Sequence, residues 1–175
     1  NSNNRNKIKK IKKNKKKFKK KYSNQLVKGL PYLLTNGQKE IITEISEDLQ
    51  SPNRMFRILQ GDVGSGKTIV SIVAALDVIE SGYQCGLMAP TAILAEQHFV
   101  LLKKLIEKTK LNINFSLLTG KTEPRERKKI LENLKNNKIQ FLIGTHALFQ
   151  KTIIFNKLGL VIIDEQHKFG VQQRI

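Results

Sequence analysis

One cysteine, no tryptophan and four prolines are little for a chain of 175 residues, and each scarcity excludes something. Cys85 alone rules out an intramolecular disulfide and any cysteine-based zinc site. Standing in an apolar run, it reads as a small buried hydrophobe. No apolar stretch approaches the roughly 18 residues of a membrane span. The N-terminus is basic but has no apolar segment behind it, so no secretory signal is expected. These absences point to no membrane partner and to a reducing, cytoplasmic compartment. Acid is the most unevenly missing ingredient. Residues 1–21 hold 12 of the 32 Lys/Arg and no Asp or Glu, while the rest carries 20 basic against 14 acidic residues, a net +6 of the chain's +18.

So basic a tail suits a polyanion, nucleic acid above all. A compositional reading stands beside it, because Asn, Lys and Ile are abundant throughout. Residues 1–24 read as a lysine-rich connector, either disordered through self-repulsion or a basic helix that docks elsewhere. Ile8, Ile11, Phe18 and Tyr22 fall at helical offsets, with Lys15 breaking the stripe. Residues 25–175 are enough for one domain.

What is present centres on Gly61–Thr68, GDVGSGKT, which fits G-x-x-x-x-G-K-[ST], the P-loop. An apolar run, Met55–Gln60, precedes it as a predicted strand, and Thr68–Leu76 follows as a buried helix. Gly61, Gly64 and Gly66 let the backbone bend closely around an anion. The N–H groups of Asp62, Val63, Ser65 and their neighbours, with the positive end of the helix, face the phosphates. Lys67 reaches the β- and γ-phosphates, and the Thr68 hydroxyl can ligate Mg²⁺.

The remaining chain alternates strands and helices. A helix is predicted over Gln38–Gln50, with Thr35 and Gln38 matching the capping box. The Gln38 amide could equally face an adenine, about two dozen residues ahead of the P-loop. Strands are predicted at Gln84–Ala89, Asn112–Leu118, Ile139–Ile143 and Leu158–Ile163, with helices over Ala92–Lys108 and Arg125–Lys135 and a short one through Leu148. Core candidates on the Ala92 helix are Ile93, Leu94, Phe99, Leu101, Leu102, Leu105 and Ile106. The pattern is βαβ: an α/β fold with a parallel sheet flanked by helices in three layers. Its ligand site belongs beyond the carboxyl ends of the strands. The polar clusters fall there: Pro90-Thr91, Thr119-Gly120, Gly144-Thr145-His146 and Asp164–His167.

Asp164, after a run of aliphatic residues, can hold Mg²⁺ opposite Thr68, and Glu165 can orient or deprotonate an attacking water. Alternatively, both cap the next turn. His167 either sits satisfied in a turn or senses the γ-phosphate. His98 reads as packing or surface, and His146 is open between the two uses.

In order, these motifs spell a family pattern. GDVGSGKT, APTAILAEQH (Ala89–His98), LLTG (Leu117–Gly120), GTHALFQ (Gly144–Gln150) and LGLVIIDEQHKFGVQQR (Leu158–Arg174) resemble the RecG family of ATP-dependent DNA helicases. LPYLLTNGQ (Leu30–Gln38) is similar to that family's approach to the motor. The resemblance covers Leu30–Ile175. The transcription-repair coupling translocases share much of this motor, but DEQH and Ser65 favour RecG. Lys168 departs from the family's common arginine.

The resemblance implies a RecA-like, superfamily 2 motor that remodels stalled replication forks and Holliday junctions with ATP and Mg²⁺. By position, Lys67, Thr68, Asp164, Glu165 and Gln38 serve the nucleotide. Pro90, Thr91, Thr119, Gly120, Gly144, Thr145 and His146 match motifs that grip the DNA backbone. Such grips carry no base sequence. The chain is expected to be the first motor domain, working with a second RecA-like domain that brings an arginine finger and with a DNA-binding wedge domain. Two readings of other classes stand beside it: a nucleotide-binding module that docks nucleic acid without turnover, and a P-loop kinase. No segment supplies a kinase's acceptor site or lid.

Overall fold

Runs in which aliphatic residues follow one another without alternation become strands, as expected where both sheet faces are covered. In the computed structural model, which describes residues 17–51, 57–61, 66–150 and 152–165, the described residues form five: β1 Arg57–Gly61, β2 Gln84–Met88, β3 Phe115–Leu118, β4 Phe141–Gly144 and β5 Leu158–Asp164. All pair in parallel, in the order β1-β5-β2-β4-β3. The helices are α1 Lys21–Lys28, α2 Asn36–Leu49, α3 Lys67–Glu80, α4 Ala92–Thr109 and α5 Pro124–Lys135, with a 3₁₀ turn at His146–Phe149.

Neighbouring residues on one strand feed different cores. Phe141 and Ile143 of β4 join Cys85, Leu87, Leu160 and Ile162 in a cluster with α3 and α4. Leu142, between them, joins Leu118 and the Ile130 and Leu134 side chains of α5 on the opposite face. The three-layer architecture follows from this alternation. Helix α3 is rich in β-branched residues, which lose rotamer freedom in helices. Burial outweighs that: Thr68 through Ile79 are all buried. A helix apolar on every side needs cover on every side. The sheet covers one flank of α3, and α1 and α2 pack on the other.

Three expectations shift. Ile93, a core candidate, is 63% exposed. It lies on the far side of α4 from the buried row Ala95, His98, Leu102, Leu105, Ile106 and Thr109. Strand β3 starts at Phe115 rather than Asn112, because the Asn114 N–H is taken by the Gln140 side chain instead of a ladder bond. The basic helix pictured as docking elsewhere docks here in part. α1 spans the 24/25 boundary, buries Leu26 completely and is tied down by polar bonds. Tyr22 N–H donates to Glu80 Oε1 at 2.7 Å, Ser23 Oγ to Asp77 Oδ1 at 2.6 Å, and Gln25 Nε2 to the Thr109 carbonyl at 2.6 Å.

Candidate nucleotide and nucleic-acid site

The sheet register sets the site. Gly61 pairs with Asp164, Met88 with both Ile163 and Gly144, and Leu118 with Gly144. One line across the sheet thus brings together the carboxyl ends of all five strands. The Ala89 N–H, donating to the Gly144 carbonyl at 2.8 Å, continues the line past β2.

β1 ends at Gly61, where the P-loop starts. Asp62, Val63, Gly64 and Ser65 lie outside the described residues. Gly66 caps α3 with φ of 85°, in the left-handed region where a side chain is strained. Lys67, the first residue of α3, is exposed, while Thr68 behind it is buried. The first turn of a helix leaves N–H groups without intrahelical partners, a natural cradle for anions.

Gln38 meets one of its two readings directly. The capping box is formed in both directions: Gln38 N–H donates to Thr35 Oγ1 at 3.1 Å and Thr35 N–H to Gln38 Oε1 at 2.9 Å. The same amide also crosses to the P-loop, where Nε2 donates to the Gly66 carbonyl at 2.9 Å. The α2 cap and the end of the phosphate loop are therefore joined through one side chain.

Asp164 is 3% exposed at the tip of β5, and Glu165 beside it is half-buried. His167 lies outside the described residues. The Asp164 carboxylate meets a residue whose sequence context points only to packing or surface: His98 Nε2 stands 2.9 Å from Asp164 Oδ2, with both side chains buried. Where the carboxylate accepts this bond, Nε2 is its donor. The signal that could have found His98 is its spacing. It falls within the buried row of α4, and a buried polar side chain needs a partner. The donors on this side, a hydroxyl and carboxylates, are the hard oxygens that Mg²⁺ takes. Mg²⁺ ordinarily uses only one or two protein groups beside phosphate. No cluster of three or more His, Cys, Asp or Glu that could hold a metal occurs among the described residues.

The strand-end residues divide by exposure. Pro90, Gly120 and His146 are exposed, Thr91 and Thr145 are half-buried, and Thr119 and Gly144 are buried. Thr91 caps α4, accepting from Leu94 N–H at 3.2 Å. Thr119 Oγ1 accepts from Lys121 N–H at 3.2 Å, holding its own turn. A Cβ on Gly144 would collide with the Leu118 carbonyl. Buried, these two shape the surface rather than present side chains to it.

Fold and site together define the class: a RecA-like P-loop domain, with the strand that ends at Gly61 and the acidic strand tip at Asp164 side by side on a parallel sheet. A family model described as DEAD/DEAH box helicase matches residues 35–175, and the chain belongs to that family. ATP-dependent DNA helicase RecG of Thermotoga maritima is 50% identical over 155 residues, 88% of this chain and 20% of the relative. RecG of Aquifex aeolicus is 48% identical over 168 residues, 95% of this chain and 21% of the relative. A solved structure of RecG bound to a three-way DNA junction superposes with a TM-score of 0.75 at 48% identity, covering 89% of this chain and 21% of that one. The chain thus spans about a fifth of the length of the relatives it matches. Among the described residues, no helix is long and apolar enough to cross a membrane.

Proposed function

We propose that this chain is the ATP-binding motor unit of a RecG-type helicase, coupling ATP hydrolysis to movement along branched double-stranded DNA. The observation that carries the reading is the pairing of Gly61 with Asp164, which sets the start of the phosphate loop against the acidic tip of the neighbouring strand. Lys67 and the N–H groups of Gly61–Thr68 bind phosphate, and Gln38 takes the adenine while bracing Gly66. Thr68 and Asp164 would hold Mg²⁺, which draws charge from the β- and γ-phosphates when bound. Glu165 orients the attacking water and takes its proton. His167 senses the γ-phosphate.

The DNA side uses Pro90, Thr91, Thr145 and His146, with Gly120 allowing close approach of a sugar-phosphate strand. Thr119 and Gly144 fix the turns that carry them. Main-chain N–H groups, hydroxyls and helix N-termini grip phosphates without reading bases, as a translocase requires. Branched DNA as the substrate is supported by the junction-bound RecG relative. A second RecA-like domain with an arginine finger, and a wedge domain, complete the machine. A cytoplasmic location accompanies work on chromosomal DNA. The resemblance to RecG relatives favours this over a transcription-repair coupling translocase.

The test is ATP turnover by the natural full-length protein on forked DNA, beside Lys67→Ala. Fork-stimulated turnover that Lys67→Ala abolishes is the expected result. Turnover indifferent to DNA would leave a nucleotide-binding docking module.

A further inference from the structure

We propose that His98 is a positioning residue for Asp164, fixing the aim of the carboxylate that would hold Mg²⁺; the inference rests on the nucleotide reading above. Two observations carry it. The imidazole Nε2 lies 2.9 Å from Asp164 Oδ2, and the two residues are 7% and 3% exposed. Water therefore competes weakly for this bond. In addition, His98 comes from a different element than its partner. It projects from the buried row of α4, between Ala95 and Leu102, which are 0% and 1% exposed. The ring is anchored by helix packing, while the carboxylate stands at a strand tip and is held by what surrounds it. Groups outside a metal's own shell that hydrogen-bond a ligating carboxylate set its orientation. Losing one typically costs about 10–100-fold in metal affinity or activity.

The same helix has a second end. Thr91 caps α4 seven residues before His98, so about 10 Å of continuous helix separates the proposed DNA contact from the Asp164 contact.

The experiment uses the natural full-length protein and a fluorescent, non-hydrolysable ATP analogue. It reads the Mg²⁺ concentration that gives half-maximal binding, so turnover is not involved. Four proteins are compared with the native one: His98→Ala, His98→Gln, Leu102→Ala and Lys67→Ala. His98→Ala is expected to raise the half-saturating Mg²⁺ about 10–100-fold. His98→Gln, whose amide can still donate to Asp164, recovers most of that loss. Leu102→Ala lowers the thermal midpoint but leaves the Mg²⁺ dependence unmoved, which separates positioning from packing. An unshifted Mg²⁺ dependence in His98→Ala, or an equal shift in Leu102→Ala, overturns the proposal. If Lys67→Ala binds the analogue as the native protein does, the P-loop reading itself fails and this inference falls with it. If Lys67→Ala loses binding while His98→Ala behaves as native, only the role of His98 is refuted.

Discussion

Gly144 ends β4 within a motif assigned to the DNA backbone, yet its neighbour explains the glycine first. A methyl group there would collide with the Leu118 carbonyl of β3. Gly144→Ala is expected to lower stability by about 1–3 kcal/mol through overpacking, read as an earlier urea midpoint. An unchanged midpoint would mean that the β3–β4 edge relaxes at no cost. The motif was legible in the sequence, but this reason for it was not. It depends on β4 lying beside β3, a fact of strand order that no single stretch encodes. His98 was hidden in the same way: its partner is 66 residues away, and helical spacing reveals burial but not the identity of what is met. Gln38 was legible from both sides, because the capping box is local while the Gly66 contact is not.

The junction of α1 with α3 shows what element-level reading gains and loses. Alternating strands and helices gave five strands, and the strand ends needed only shifts of a few residues. The short α1 was obscured by the lysine run before it, where like charge argued for a solvated tail. Its apolar residues are too few to announce a helix, but Leu26 and the buried Ser23 find a seat on α3. Asp77 on α3 is 1% exposed. Burial pushes its carboxyl up from the usual value, while the Ser23 hydroxyl and Lys20 pull it down and Glu80 adds to the rise. The folded state therefore holds this proton more tightly than the unfolded chain. That contribution is fully present below the unfolded value near 3.8 and is lost as pH rises through the raised folded value. Asp77→Asn removes the titration. As pH rises above about 4 the stability of the native protein should fall relative to Asp77→Asn, measured by thermal melts at a series of pH values. Parallel curves would show that the carboxyl is not raised.

Across the whole molecule, charge and strand order carry the larger consequences. Deleting residues 1–16, which hold Arg5 and seven lysines, tests the tail as a DNA contact. Each phosphate neutralised on duplex DNA contributes about −0.9 to the slope of log affinity against log salt. Removal should flatten that slope by several units, whereas an unaltered slope would assign the lysines to composition alone. Strand order speaks to time. Among the described residues β1 pairs only with β5, and Gly61 is separated from Leu158 by most of the chain's length. A ribosome adding about 5–20 residues per second needs roughly 5–20 s to travel that distance. Throughout that interval the strand that ends in the phosphate loop has none of its partner to lie against. β2, β3 and β4 can assemble among themselves first. A synthesis arrested before Leu158 therefore leaves a half-sheet beside a first strand, ending at Gly61, that still waits for its partner.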